Sequence, residues 1–301
     1  MRGDNVSIES FRGKLLFNVP MSRYTSLGVG GDADVMAAPV DEADMQALLH
    51  FAGEKGYPLF ILGAGTNLLV KDGGLRGVVL DLSTGFGKVV AKGERVVEAG
   101  AGARMLEVVS FCRERGLSGL EFAAGIPGCV GGAVVMNAGA YGGEMKDVVE
   151  SIEIVDREGR GATVPSSDIG FTYRGTGLPA DIIILKATMR LVLSSREEVT
   201  EKIKANRAKR RSSQAVQSPN AGSIFKNPEG KSAGRLIEEA GLKGCRYGGA
   251  QVSEVHGNYI VNVGGAKASD ILGLMAKVRD SVYQRTGILL EPEVKVVGEE
   301  S

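Results

Sequence analysis

Histidine is scarce in this sequence: His50 and His256 are the only two among 301 residues. A histidine-rich metal site is therefore excluded. Cysteine is nearly as rare. Cys112, Cys129 and Cys245 are odd in number, widely spaced and form no CxxC pair, which argues against a disulfide framework and against a zinc site. Neither sign of charge is in excess. There are 36 basic and 36 acidic residues and a formal net charge of zero, so the basic surplus of a nucleic-acid binder is missing. No apolar run approaches the ~20 residues of a membrane span. The opening residues, MRGDNVSIES, hold no apolar signal region, and cytoplasmic residence is the expectation. Proline is low at 9 residues, whereas glycine reaches 44. The glycines have no Gly-X-Y period and lie among apolar residues, which excludes collagen and disorder. With 43% hydrophobic residues the chain can bury a real core, and its length fits about two to three domains.

Periodicity supplies a mixed set of elements. Met45, Leu48, Leu49 and Ala52 predict a helix capped by Asp41 and ended by Gly56. Strands are expected at Tyr57 to Leu62 and Val78 to Leu82. A hairpin joins Lys88–Ala91 to Arg95–Ala99 through Lys92-Gly-Glu94. Met105 to Arg115 reads as an amphipathic helix closed by Gly116. Val148 to Val155 alternates, and Asp181 to Val192 is apolar enough for a central strand. Ser195 and Glu198 suggest a capping box opening a charged helix to about Arg211, a natural boundary. Beyond it come a loop around Ser218-Pro-Asn-Ala-Gly222, a short helix (Ala233 to Ala240) and a strand (Asn258 to Val263). A longer helix (Ser269 to Arg285) and a final strand (Glu293 to Val297) close the chain. The strands and helices are mixed too irregularly for a doubly wound sheet, so the class is α+β.

Two glycine-rich stretches stand out. Gly63-Ala64-Gly65-Thr66-Asn67-Leu68 follows a strand like a dinucleotide fingerprint. Its third glycine is missing, however, and the Leu-Leu-Val-Lys-Asp-Gly-Gly that follows is not helical, so a Rossmann reading fails. A tight loop with a backbone nest for a pyrophosphate remains, against an ordinary turn. The second stretch, Gly125 to Gly143, reads GIPGCVGGAVVMNAGAYGG. Glycine is entropically costly to fold, so this density implies close approach to the backbone, by a ligand or by a neighbouring segment. One loop suits a diphosphate and the other the face of a flat ring system.

Polar candidates are dispersed. Tyr173 and Arg174 sit in a polar loop, Ser223 in Asn-Ala-Gly-Ser-Ile-Phe-Lys-Asn-Pro, and Glu293 in Leu-Glu-Pro-Glu-Val. Ser223 is not in a GxSxG elbow, which argues against a hydrolase triad. The basic run Lys202, Lys204, Arg207, Lys209, Arg210, Arg211 is either a solvated helix face or a partner for a nucleotide diphosphate.

Taken together, these segments resemble the UDP-N-acetylenolpyruvoylglucosamine reductase (MurB) family, in its shorter, type II form. The resemblance runs from Thr25-Ser-Leu-Gly-Val-Gly-Gly31 to Leu290-Glu-Pro-Glu-Val294. It is carried by Leu62-Gly-Ala-Gly-Thr-Asn-Leu-Leu-Val70, Gly125-Ile-Pro-Gly-Cys-Val-Gly-Gly132, Asn137-Ala-Gly-Ala-Tyr-Gly142, Phe171-Thr-Tyr-Arg174, Ala221-Gly-Ser-Ile-Phe-Lys-Asn-Pro228, Ala240-Gly-Leu-Lys-Gly244 and Gly249-Ala-Gln-Val-Ser253. One departure is Thr176, where the family usually has serine.

The resemblance implies an FAD-binding fold of the vanillyl-alcohol-oxidase type. Two FAD-binding subdomains (residues 1–82 and 83–195) would precede an α+β substrate domain (residues 196–301). It implies noncovalent FAD, since no histidine lies near the Gly63 loop, and NADPH as hydride donor. The reaction would reduce UDP-N-acetylglucosamine enolpyruvate to UDP-N-acetylmuramate for peptidoglycan, with no nucleic acid, membrane insertion or obligatory protein partner. Cofactor contacts would come from Gly63, Ala64, Gly65, Thr66, Asn67 and Leu68, and from Ile126, Pro127, Gly128, Gly131, Gly132, Asn137, Ala138, Gly139 and Ala140. Arg174 and Glu293 would stabilise an enolate-like charge, and Ser223 would donate a proton. Tyr173, Lys226, Asn227, Gln251 and His256 are the substrate-contact candidates. Two other functions compete: an FAD-dependent oxidase of a sugar or alcohol on the same fold, and a non-enzymatic flavin- or nucleotide-binding module.

Overall fold

Local signals set many element boundaries. In the computed structural model, which describes residues 8–214 and 216–301, the Asp41 carboxylate accepts from the Asp44 N–H at 3.0 Å and starts helix α1, Glu42–Lys55. Gly56 ends it at φ 63°, a left-handed conformation open to glycine without steric cost. Met45, Leu48, Leu49 and Ala52 form the buried stripe, as their spacing predicts. Asp44 is buried with them, which spacing does not foretell. It accepts from the Arg12 backbone N–H and from Arg12 Nε, so the buried carboxylate is answered. The other helices are α2 (Met105–Glu114), α3 (Val130–Val135), α4 (Ser166–Ile169), α5 (Arg196–Gln214), α6 (Ala233–Glu239) and α7 (Ala268–Thr286). At the head of α5 the Glu198 N–H donates to Ser195 Oγ at 3.1 Å, while the Glu198 carboxylate accepts from the Ser194 hydroxyl. Among the described residues no helix is long and apolar enough to cross a membrane.

The chain divides into two units. The first takes in the chain up to Phe17, Val35–Ala64 and Gly77–Arg210; the second takes Asn18–Asp34, Gly65–Arg76 and Arg211–Ser301. A linear division at 82 and 195 lacks these returns, because short early segments pair with the far end of the chain. Leu68–Val70, which follows the Gly63 loop, pairs in parallel with Lys295–Val297.

The first unit holds a five-stranded sheet in the order Gly161–Pro165, Val149–Val155, Ile183–Arg190, Val96–Gly100, Val89–Ala91. All four pairings are antiparallel. The apolar segment expected to be central is central. Ile152 lies opposite Ala187, and Ala187 opposite Ala99, a row buried from solvent. Helix α3 packs against the central strand. The strand Leu59–Leu62 pairs in parallel with Leu75–Asp81.

The second unit has its own antiparallel sheet, ordered Asn220–Ser223, Tyr259–Asn262, Ala250–Val252, Arg246–Tyr247. Its core gathers Leu27, Val29 and Leu69 with Phe225, Ile237, Ile271 and Val278. The segment around Gly222 read as loop from its Asn and Gly content. Its second half is instead a strand with a bulge: Asn220 opposes Val261 and Ser223 opposes Tyr259, so three steps on one strand match two on the other. Gly222 supplies the φ of 73° there. Such bulges re-aim the side chain that follows, and here that side chain is Ser223. The antiparallel sheets confirm the α+β class.

Asp72 ties the early segment to the last helix. Its carboxylate accepts from the Ala268 and Ser269 N–H groups at 2.8 and 3.0 Å, satisfying orphan donors at the start of α7. Burial works to raise the Asp72 pKa, but the hydrogen bonds from Ser269 and Ala268 outweigh it and hold the carboxyl below its ordinary value. A folded-state pKa below the unfolded one stabilises the protein above the unfolded value near 4. That stabilisation is lost as pH falls through the folded pKa. Asp72→Ala is expected to lower stability by about 1 kcal/mol at neutral pH, the usual worth of such a cap, and to flatten the acid limb of stability against pH. Denaturant melts at neutral and acid pH check both; an unchanged acid limb contradicts the assignment.

Candidate active site

The strand Leu59–Leu62 runs into Gly63 in the first unit. A Cβ built on Gly63 would lie 2.9 Å from Cys129 Sγ. The start of the Gly63 loop therefore rests on the Gly125–Gly132 segment, and the two glycine-rich stretches meet. Gly125 and Gly128 have φ of 118° and 144°, conformations that L side chains rarely adopt. Pro127 is exposed and Ile126 half-buried.

The glycines that follow divide by cause. Gly131 donates its N–H to the Ala101 carbonyl at 2.9 Å, and a Cβ there would stand 3.0 Å from Ala101 Cβ. A side chain there would crowd the protein's own packing. Gly132 is exposed, and its Cβ would meet only Cys129 Sγ, at 3.7 Å. That glycine leaves backbone open to approach from outside. Sequence alone read this stretch as loop; part of it is helix α3, whose glycine content hid its helical character.

Asn137 is buried in a left-handed conformation, with φ 39°. Its Nδ2 donates to Glu144 Oε2 at 2.7 Å and to the Thr172 carbonyl at 3.0 Å, while its Oδ1 accepts from the Lys146 N–H at 3.0 Å. Both amide hydrogens are committed inside the protein. Gly139 and Ala140 pair with Glu144 and Gly143 in a short hairpin, and the Ala138 N–H donates to the Ala133 carbonyl. This hairpin holds Arg174, whose Nη2 donates to the Gly139 carbonyl at 3.1 Å. Arg174 has φ 59°, in a tight turn bridged by Thr172 and Gly175. Its guanidinium lies 5.1 Å from the Tyr173 ring, which is exposed. In helix α2, burial first and Glu121 second push the Cys112 thiol up to about 12, which favours its protonated form at neutral pH.

The other candidates belong to the second unit. Gly65 has φ 64°, and a Cβ there would fall 1.8 Å from the Tyr24 carbonyl oxygen; only glycine fits. Thr66 is half-buried and Leu68 buried. Asn67 Nδ2 donates to the Glu293 carbonyl at 3.1 Å, and the Lys295 N–H donates to the Asn67 carbonyl. The loop thus grips the backbone on which Glu293 sits. Ser223 lies two residues from Phe225, and the Ile224 between them accepts the Glu293 N–H at 2.8 Å. Ser223 and Glu293 are therefore brought together on one backbone frame. Arg174, the third catalytic candidate, belongs to the first unit.

The substrate-contact candidates are tied in different ways. Lys226 pairs with Glu291 at 3.5 Å. Asn227 Oδ1 accepts from the Ala233 N–H at the start of α6. Gln251 is buried, donating to the Gly244 carbonyl and accepting from Arg246. His256 packs edge-on to Tyr259, and its Nδ1 accepts from the Asn258 N–H. Burial, then Lys243, holds its pKa below the ordinary value. Sequence reasoning missed Asn258, a buried amide at the head of a strand. The only sequence signal was a polar residue leading an apolar run.

Comparison with known proteins places these features in context. Residues 33–164 match the family of FAD binding domains, and residues 214–297 match the UDP-N-acetylenolpyruvoylglucosamine reductase C-terminal domain. A UDP-N-acetylenolpyruvoylglucosamine reductase of Geobacter metallireducens is 48% identical over 96% of both chains. One of Geotalea uraniireducens is 46% identical over 97% of this chain and 96% of its own. The crystal structure of the UDP-N-acetylenolpyruvylglucosamine reductase from Thermus caldophilus matches with a TM-score of 0.82 and 36% identity, covering 95% of this chain and 98% of that one. The FAD-binding fold expected from sequence is thereby shown.

Gly131→Val and Gly132→Val are expected to separate packing from cofactor approach. The first crowds Ala101 and should lower the stability of the cofactor-free protein by about 1–3 kcal/mol. The second should leave that stability nearly unchanged and lower flavin content per chain. Thermal melts and flavin absorbance read the two effects; full flavin in Gly132→Val would show that the exposed glycine is not where the cofactor approaches.

Proposed function

The chain belongs to the UDP-N-acetylenolpyruvoylglucosamine reductase family, and from that membership we propose that it reduces UDP-N-acetylglucosamine enolpyruvate to UDP-N-acetylmuramate. It does so in the cytoplasm, in peptidoglycan precursor synthesis, with noncovalent FAD and with NADPH as the hydride source. The observation that supports this reading most is the frame in which Ser223 and Glu293 flank one backbone hydrogen bond, from the Glu293 N–H to the Ile224 carbonyl. Neither the oxidase reading nor the binding-module reading gives that frame a purpose.

The residues fit the cofactor. The exposed Gly132 and the contact of Gly63 with Cys129 give an approachable backbone surface within the FAD-binding match. When bound, FAD supplies a two-electron relay that accepts a hydride from one substrate and passes it to another. His50 projects from α1 beside Glu54, and His256 is engaged through Nδ1, which supports noncovalent binding. We assign residues 196–301 to the substrate.

The acceptor is an enol ether conjugated to a carboxylate. Hydride addition at its CH2 carbon pushes negative charge toward the carboxylate, and the adjacent carbon then needs a proton. Arg174, held by Gly139 and its strained turn, presents a fixed positive charge to that developing enolate. Such preorganised charge gains strength where water is excluded. Glu293, gripped by Asn67 and Ile224, is the second residue we assign to stabilising that charge, protonated or sharing a proton. Ser223, aimed by the Gly222 bulge, donates the proton and recovers it from solvent.

Ser223→Ala is expected to separate the half-reactions. NADPH should still reduce the flavin at the wild-type rate, since that step needs no protein acid. Reoxidation by the enolpyruvyl nucleotide should slow ~10²- to 10⁴-fold, the usual contribution of a positioned acid. Anaerobic stopped-flow absorbance reads each half. Equal slowing of both would make Ser223 a general binding residue; no slowing would hand the proton to another group.

A further inference from the structure

Ile224 and Phe225 have every polar backbone atom accounted for. On one edge the Glu293 N–H donates to the Ile224 carbonyl, and the Lys226 N–H donates to the Glu291 carbonyl, both at 2.8 Å. On the other edge stands a single residue, Asn258. Its backbone carbonyl accepts the Ile224 N–H at 2.9 Å. Its Oδ1 accepts the Phe225 N–H at 3.0 Å, and its Nδ2 donates to the Phe225 carbonyl at 2.7 Å.

The amide of Asn258 therefore plays the part of a peptide group in a strand pair. Only one flip of that amide satisfies both partners, because the N–H of Phe225 needs an acceptor and its carbonyl a donor. Asn258 is 3% exposed, so water does not replace these bonds. It extends the pairing of the Tyr259–Asn262 strand past its last ladder pair, Ser223 with Tyr259. In turn, the Asn258 N–H donates to His256 Nδ1 at 3.2 Å.

We propose that Asn258 is a positioning residue for the reduction: it pins Ile224 and Phe225 so that Ser223 and Glu293 keep the relative placement that proton delivery needs. The inference rests on the functional reading given above. Without the amide, Phe225 is left with a buried donor and a buried acceptor unpaired, a desolvation penalty that a shift of the segment would relieve. That shift would carry Ser223 on one side and the Glu293 backbone on the other. A displacement of about 1 Å at reacting groups costs roughly 10²-fold in rate.

The test uses the FAD-loaded full chain as wild type, Asn258→Ala, Ser223→Ala and the double variant. In Asn258→Ala, flavin content and the rate of flavin reduction by NADPH stay at wild-type levels. Reoxidation by UDP-N-acetylglucosamine enolpyruvate slows roughly 10²-fold. In the Ser223→Ala background the same substitution adds little, because residues acting through one group are non-additive. Amide hydrogen exchange on the cofactor-free protein gives a readout independent of turnover: the Phe225 amide loses protection while the Val278 region of α7 keeps it.

Should Asn258→Ala fail to fold, Asn258→Asp decides. It keeps the volume and the acceptor for the Phe225 N–H but sets a second oxygen against the Phe225 carbonyl, and the same split between half-reactions is expected. Equal slowing of both halves, full additivity with Ser223→Ala, or unchanged reoxidation overturns the positioning role. Failure of the wild-type flavin to be reoxidised by the enolpyruvyl nucleotide overturns the functional reading itself, and with it this inference.

Discussion

The hydrogen bond from the Glu293 N–H to the Ile224 carbonyl is the constraint that fixes two distant segments of the second unit against each other. It joins the strand that carries Ser223 to the segment that carries Glu293, at 2.8 Å. Further bonds tie other early and late segments of the same unit. Asn67 grips the Glu293 carbonyl, Lys295–Val297 runs beside Leu68–Val70, and Asp72 clasps the start of α7. Ile224, Phe225 and Val294 within this frame are apolar and buried, while Glu291 and Pro292 at its edge are exposed. A polar frame set in such a core has little freedom to drift, because each bond lost would leave a group unpaired away from water.

A parallel logic governs the first unit. Asn137 accepts a left-handed backbone so that its amide can reach Glu144, Thr172 and the Lys146 N–H. The hairpin thus fixed offers the Gly139 carbonyl to Arg174. Three non-glycine residues with positive φ, Asn137, Tyr141 and Arg174, lie within this one network. Backbone strain of that kind persists only where surrounding bonds over-determine it. Such rigidity suits the role proposed for Arg174, a fixed cation beside a transient negative charge.

Much of this was legible in the sequence, for physical reasons that can be named. Helix α1 announced itself through Asp41, Gly56 and the spacing of Met45, Leu48 and Ala52. The central strand showed as a segment, Asp181 to Val192, apolar enough to lie inside a sheet. What stayed hidden was of two kinds. Glycine and asparagine mark turns, so they masked helix α3 and the bulged strand Asn220–Ser223. Long-range returns leave no local trace: nothing near Asp72 or Asn67 foretells partners about two hundred residues away. Asn258 belongs to the second kind, since its importance lies in the backbone it pairs with. The glycine density was read correctly as a sign of close approach. Yet its cause differs by position, with Ala101 crowded against Gly131 and only an ordinary contact with Cys129 Sγ beside Gly132.

The central claim is that the chain passes electrons from NADPH through flavin to an enolpyruvyl sugar nucleotide. Its most direct test is anaerobic incubation of the purified holoenzyme with NADPH and UDP-N-acetylglucosamine enolpyruvate, followed by mass analysis of the nucleotide. A sugar nucleotide heavier by one hydride and one proton for each NADPH oxidised is the expected result. A nucleotide recovered unchanged, with NADPH consumed only when oxygen is admitted, would contradict it.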